Sequence, residues 1–350
     1  MKRSLRLLLA LSILATGTST AAPAASTPKP LPKPVNIRFC LFDPVGTNGQ
    51  IASLGRDLAL EARKWNLIVD LKVYQDERVA AEDFKAGQCE GVAITTLRAR
   101  QFNRIVGSID SPGNLRSYEE MRTLIRALAN PAFLPMSITG RYQVVGVVPV
   151  GAIYVMTNDR AIDSIEKAAG KRVAVLDWDP SQAKMISAIG AHPVMADMTS
   201  YGPKFNNGQA DIIAAPAMAY LPLELSRGIG KKGGVFRFPL LFATGSIVIR
   251  RDLLLPKIPD LDDRLLQLRE YGLGFIDSFI ATIRVSEKDI PEKLWIDLSE
   301  GDKVKYWRML REARIGLTKE GIYEPSMMNL LKKVRCRHEP GNEECSMFEE

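Results

Sequence analysis

Three aspartates stand at or just past the ends of apolar runs: Asp43 after VNIRFCLF, Asp76 two residues beyond LKVY, and Asp177 after RVAVL. Near comparable chain positions lie residues able to hydrogen-bond to or stack on a small molecule. These are Gly46 in the turn after the first run, Thr95, Thr96 and Arg98 after GVAI, and Tyr154, Trp178, Gln182 and Tyr220. Carboxylates beside aromatic rings suit a cationic or neutral amphipathic solute, through ion pairing and cation–π contact. Arg98 opposes that sign, unless it lies on a solvated face with Arg100 and Arg104 of segment 97–105. Other candidates also have purely structural readings: Asp43 shapes its turn, Trp178 packs between helices, and Tyr154 is core.

Catalytic chemistry is poorly represented. There is no G-x-S-x-G elbow, H-E-x-x-H pair or G-x-x-x-x-G-K phosphate loop. Gly228–Gly233 spells G-x-G-x-x-G, but it follows a helical pattern and precedes a strand, the reverse of a dinucleotide site. It is expected to end a helix. With two histidines in the chain, a histidine base is scarce, and His192 before Pro193 reads as a turn residue. No cofactor is expected, and no metal. Cys336, His338 and Cys345 match no common zinc spacing.

The elements that must position these residues alternate strand and helix. Val35–Phe42, Val69–Tyr74 and Gly91–Thr95 read as strands. Between them fall the apolar stripe Ile51, Leu54, Leu58, Ala62, Trp65 and a short helix over 79–86. Ser117–Glu120 reads as a capping box for a helix ending before Asn130–Pro131. Apolar runs at 144–148 and 153–156, split by Pro149 and Gly151, suit a crossing into a second lobe. There, Val173–Leu176 passes through Asp177, Trp178 and Asp179 into a helix opened by Pro180, with Asp179 as its cap. Ile212–Ala215 then leads into a helical pattern from Pro216. Such units imply a parallel α/β sheet with ligands beyond the strand carboxyl ends, near 177–182 and 214–220. Strands at 235–242 and 245–249 return the chain, and helices are expected at 261–270, 291–298, 303–314 and 327–334. The expected division is a first lobe of 36–150 plus about 240–260, and a second of 151–239 plus about 261–350.

A composition of 46% hydrophobic and 25% charged residues over 350 residues suits two globular domains. MKRSLRLLLALSILATG reads as a cleavable export signal ending near residue 25, followed at 26–35 by a Pro-rich extended linker without packed structure. Removing Lys2, Arg3 and Arg6 with that segment lowers the net charge from +7 to +4. No basic block interleaved with aromatics favours nucleic acid. Four cysteines in an exported chain point to two disulfides, which sequence order pairs as Cys40–Cys89 and Cys336–Cys345.

The segment IYVMTNDRAIDSIEKAAGKRVAV, followed by Gly190-Ala191-His192-Pro193 and Asn207-Gly208-Gln209-Ala210-Asp211, resembles the second lobe of TRAP-type periplasmic solute-binding proteins. With FCLFD and DERVAAEDFKAGQCEGVAITTLRARQFN, the chain over about 36–335 is similar to the AdeT-like solute-binding subgroup, some members of which carry an efflux or drug-resistance label. The resemblance implies a two-lobed α/β binding-protein fold of type II-like, TRAP/DctP-like organisation. It also implies a periplasmic location, a small-molecule solute held in the cleft, and integral membrane permease subunits as partners of a monomer. TRAP-type proteins clamp a carboxylate with an Arg, an Asn and often a second Arg. The matching positions here are Ala174, Ala215 and Ile153, all apolar. Losing charge-assisted donors at a buried carboxylate costs several kcal/mol, so the organic-acid implication does not carry over. Simple dicarboxylates and sialic-acid-like sugars are expected not to bind, and Asp177→Asn is expected to weaken whatever does. An accessory role in an envelope efflux system is the alternative, and a periplasmic enzyme the weaker one.

Overall fold

The computed structural model describes residues 29–349. The expected export signal lies outside them. Ten strands form one mixed sheet: β1 Val35–Phe42, β2 Leu67–Tyr74, β3 Gly91–Thr95, β4 Ile138–Thr139, β5 Tyr142–Thr157, β6 Arg172–Leu176, β7 His192–Ala196, β8 Ile212–Pro216, β9 Gly234–Arg250 and β10 Trp295–Ile296. The order is β2-β1-β3-β9-β5-β8-β6-β7, with β4 on β5 and β10 on β9. β1 pairs in parallel with β2 and β3, and β6 in parallel with β7 and β8. Each parallel set joins the long antiparallel pair β5–β9 from one side. The two halves are thus the two lobes, and β5 and β9 run through both.

The two pairs of apolar runs expected as separate strands are therefore single strands of 16 and 17 residues. Pro149 and Gly151 do not break β5 but fall where its register with β9 slips. A bulge tolerates a missing N–H. Gly151 has φ +126°, and a Cβ there would meet Ile283 at 2.8 Å.

Several expectations hold at residue level. The helix Pro180–Ala188 follows β6 with Asp179 as its cap, Ser117 caps Tyr118–Ala129, and Gly230–Gly233 forms the turn between the helix Leu225–Ile229 and β9. Others need correction. His192 is not a turn residue but opens β7, which pairs with β6 at the sheet edge, where Pro193 is tolerated. Segment 291–298 is not a helix; it holds the short 3-10 turn Glu292–Leu294 and then β10, because Trp295 and Ile296 pair with β9. A helix over Ile276–Glu287 was not expected. The Pro-rich stretch is not free of packing: Leu31 is buried against Ile249, Leu254 and Leu265, and its N–H donates to the Trp65 carbonyl at 3.0 Å.

The C-terminal helices, assigned above to the second lobe, serve both. Ile276, Ile280, Met327 and Leu331 join the core of β1 and β3, whereas Tyr306 and Leu310 pack with Val173 and Phe236. Both cysteine pairs form as read, with Cα separations of 5.9 Å for Cys40–Cys89 and 5.6 Å for Cys336–Cys345.

Candidate solute-binding cleft

A cavity of about 890 Å³ opens between the lobes, at the carboxyl ends of β1, β3, β6 and β8. That is within the usual range for small-molecule sites, roughly 300–1,000 Å³. Its walls are chiefly aliphatic, including Ile94, Val150, Val173, Ile186 and Leu240. The three apolar clamp positions, Ile153, Ala174 and Ala215, all line it. Four aspartates are the charged lining residues, Asp43, Asp57, Asp110 and Asp179, and no lysine, arginine or histidine lines it among the described residues.

Asp43 lines the cavity, but its carboxylate is engaged in its own turn. It accepts from the N–H of Val45 at 2.9 Å and of Ala52 at 2.8 Å, and packs so tightly that a Cβ at Gly49 would meet it at 2.1 Å. Gly46, at φ +81°, completes that turn beside Gln75. Thr95 and Gln182 also line the cavity. Thr95 caps the short helix after β3, and Gln182 accepts from the Leu176 N–H at 3.0 Å.

The remaining candidates do not line the cavity. Asp76 is a helix cap paired with Arg78. Asp177 is exposed, which removes the reason to expect Asp177→Asn to weaken binding. Tyr220 is buried in the second-lobe core. Tyr154 donates to Glu287 at 2.9 Å, as Tyr118 does at 2.6 Å. Thr96 is buried within a hydroxyl network. Arg98 is not on a solvated face: its guanidinium stacks 3.8 Å from the Trp178 ring centroid and pairs with Glu77. Glu77 in turn accepts from the Thr95 N–H at 2.6 Å, and complete burial pushes its carboxyl up from the ordinary range.

Arg98–Trp178 is a contact that joins the lobes through the loops after β3 and β6. Arg100 to Asp179, at 2.8 Å, is another. Arg100 Nη1 and Trp178 Nε1 are left buried without acceptors.

Sequence reasoning passed over Asp110. It stands in Asp-Ser-Pro-Gly, where Asp is an ordinary turn residue, yet long-range bonds carry that loop to the cavity wall. Asn114 accepts from the Phe242 N–H at 2.8 Å and donates to the Phe242 carbonyl at 2.8 Å, in the manner of a neighbouring strand. Gly113 N–H bonds the Leu240 carbonyl at 2.8 Å. Asp110 is thereby set beside Thr244 of β9, accepting from its hydroxyl at 2.7 Å and its N–H at 3.1 Å. The Asp110 carboxyl is raised to about 7, because burial penalises the charge more than the Thr244 bonds favour it.

A model of the family described as "Solute-binding protein AdeT 1/2" matches residues 33–350. The "Probable solute-binding protein AdeT1" of Acinetobacter baumannii is 40% identical over 310 residues, 89% of this chain and 100% of that protein. The chain belongs to the AdeT1/2 solute-binding protein family. The family's "Probable solute-binding protein AdeT2" from the same organism is 26% identical over 69% of this chain and 99% of that one. Solved TRAP periplasmic solute-binding proteins share the fold. One from Desulfovibrio salexigens, with bound orotic acid, has a TM-score of 0.71 at 14% identity, covering 86% of this chain and 99% of that chain. One from Ralstonia eutropha, with bound (S)-2-acetolactate, has the same score, identity and coverage. This AdeT-family protein is thus a solute-binding protein on the two-lobed α/β scaffold, with a cleft wall of its own character.

Proposed function

We propose that the protein captures, between its lobes, a small molecule with a substantial apolar surface and delivers it to integral membrane permease subunits from the periplasm, acting by binding rather than catalysis. The observation that carries this reading is the cavity wall: aliphatic at the three clamp positions and, among the described residues, without a lysine, arginine or histidine to hold a carboxylate. The solved structures named above hold orotic acid and 2-acetolactate, whereas a buried carboxylate here would lack a charged partner on the wall. Export with removal of residues 1–25, a monomeric state, and lobes divided within β5 and β9 complete the proposal.

A thermal-shift screen against solutes graded by charge and apolar area tests it. Binders with extended apolar surface are expected to raise the melting temperature, since a ligand at 100 times its dissociation constant adds about 2.7 kcal/mol. Micromolar binding confined to compact carboxylates such as succinate would overturn the reading.

A further inference from the structure

We propose that the solute carries a protonated amine or amidine, and that Asp110 is the carboxylate that receives it while the apolar remainder lies against Ile153, Ala174 and Ala215. This rests on the cleft being the solute site. Of the four lining aspartates, Asp43 is engaged by backbone N–H groups, Asp179 by Arg100, and Asp57 is exposed. Asp110 is different. It is only 6% exposed, and no ion pair with it is found among the described residues, its polar contacts being to Thr244 alone.

Those contacts favour a charge without cancelling it. Oδ1 accepts the Thr244 hydroxyl and shares the Thr244 N–H with Oδ2. A carboxylate has about four acceptor positions, so Oδ2 keeps capacity. Behind Thr244, its Oγ1 lies 2.7 Å from that of Thr96, which lies 2.7 Å from the Ser246 hydroxyl. An ionised carboxylate only accepts, so the Thr244 hydroxyl, within donating reach of both Asp110 and Thr96, directs its one hydrogen to Asp110 in support of the negative charge. The neighbouring cation, Arg100, pairs with Asp179 through Nη2 and makes no ion pair with Asp110, and its charge offsets the Asp110 burial only in small part. A carboxylate without an ion-pair partner in an aliphatic wall is costly, and a cation brought by the solute recovers much of that cost. The elevated Asp110 pKa is consistent with this geometry.

The test is calorimetric titration of the purified protein with three probes sharing one apolar body: 4-phenylbutylamine, 4-phenylbutan-1-ol and 4-phenylbutanoate. The amine is expected to bind at least tenfold more tightly than the alcohol at pH 8, and the carboxylate most weakly. Asp110→Asn is expected to remove the preference for the amine over the alcohol; Asp177→Asn is expected to leave that preference in place. Thr244→Val is expected to weaken amine binding several-fold. Equal affinity for amine and alcohol in the unmutated protein, a comparison that depends on no variant folding, would overturn the assignment and leave the apolar-solute reading standing. A preference that survives in Asp110→Asn would overturn it equally. Failure of all three probes, together with a screen that yields no apolar binder, would remove the underlying reading as well.

Discussion

A carboxyl raised to about 7 in the folded state, against an ordinary value near ~4 in the unfolded chain, means that the folded protein holds the Asp110 proton more tightly. Stability from this residue therefore falls as pH rises from about 4 to about 7 and stays low above that. Glu77 and Glu120, also raised by burial, act in the same direction. Asp211 and Asp197, lowered to about 2 by Arg172 and by hydroxyl and backbone donors, lose their contribution only in stronger acid. Melting of solute-free protein is thus expected to show an Asp110-dependent gain between pH 8 and pH 5, and Asp110→Asn should flatten that part of the curve. A parallel pH profile for the two proteins would contradict the assignment. A strand-end position indicates which end of the sheet borders the cavity, so Thr95 and Gln182 were legible as residues that line it. It did not tell which side chains turn inward. Asp76 and Asp177 sit at the right ends of their strands but outside the cavity lining, and Asp110 reaches the cavity through Asn114, over one hundred residues from Phe242 in sequence.

At the scale of elements, the loops after β3 and β6 form a closing contact from Arg98–Trp178 and Arg100–Asp179. Both contacts are partly buried, and a stacked guanidinium contributes ~0.5–2 kcal/mol. Arg98→Ala is expected to leave Glu77 buried without its ion-pair partner, destabilising the first lobe by about 2–4 kcal/mol in denaturant titration. Arg100→Ala is expected to favour the open form, read as a larger radius of gyration in X-ray scattering without solute and as roughly five- to thirtyfold weaker binding. An unchanged radius with unchanged affinity would show that the pair does not bias closure. The elements themselves were legible wherever apolar runs were bounded by Asp, Gly or Pro, as at β1, β3 and β6. They were not where tertiary pairing decides. β7 is a short edge strand beginning His-Pro, the helix Ile276–Glu287 is rich in β-branched residues and lacks a side-chain cap, and Trp295–Ile296 extends because β9 offers it an edge.

Across the whole molecule, the C-terminal segment supports the cleft from behind. Glu344 is buried among Arg116, Arg314 and Arg335. Arg314 donates to the carbonyls of Pro112 and Gly113, at 2.7 and 3.1 Å, and Arg335 to that of Asn114 at 2.8 Å. These carbonyls belong to the loop that presents Asp110. The Cys336–Cys345 disulfide holds Glu344 in place, so the two disulfides differ in what they secure. Cys40–Cys89 spans 49 residues and contributes roughly 4 kcal/mol in the chain-entropy model, whereas a separation of 9 contributes about 2.6 kcal/mol. The pairing was readable from cysteine order, but its link to the cleft was not, because it runs through arginines whose positions in sequence suggest only a charged helix face. Replacing Cys40 and Cys89 with alanine is expected to cost more stability and to leave hydrogen exchange in loop 109–114 unchanged relative to global unfolding. Replacing Cys336 and Cys345 is expected to cost less, yet to accelerate exchange in that loop. Glu344→Gln, which removes the charge of a carboxylate shared by buried arginines, should do the same with a larger loss, about 3–5 kcal/mol. Loop exchange that follows global stability in all three variants would show that the C-terminal segment is a staple and no more.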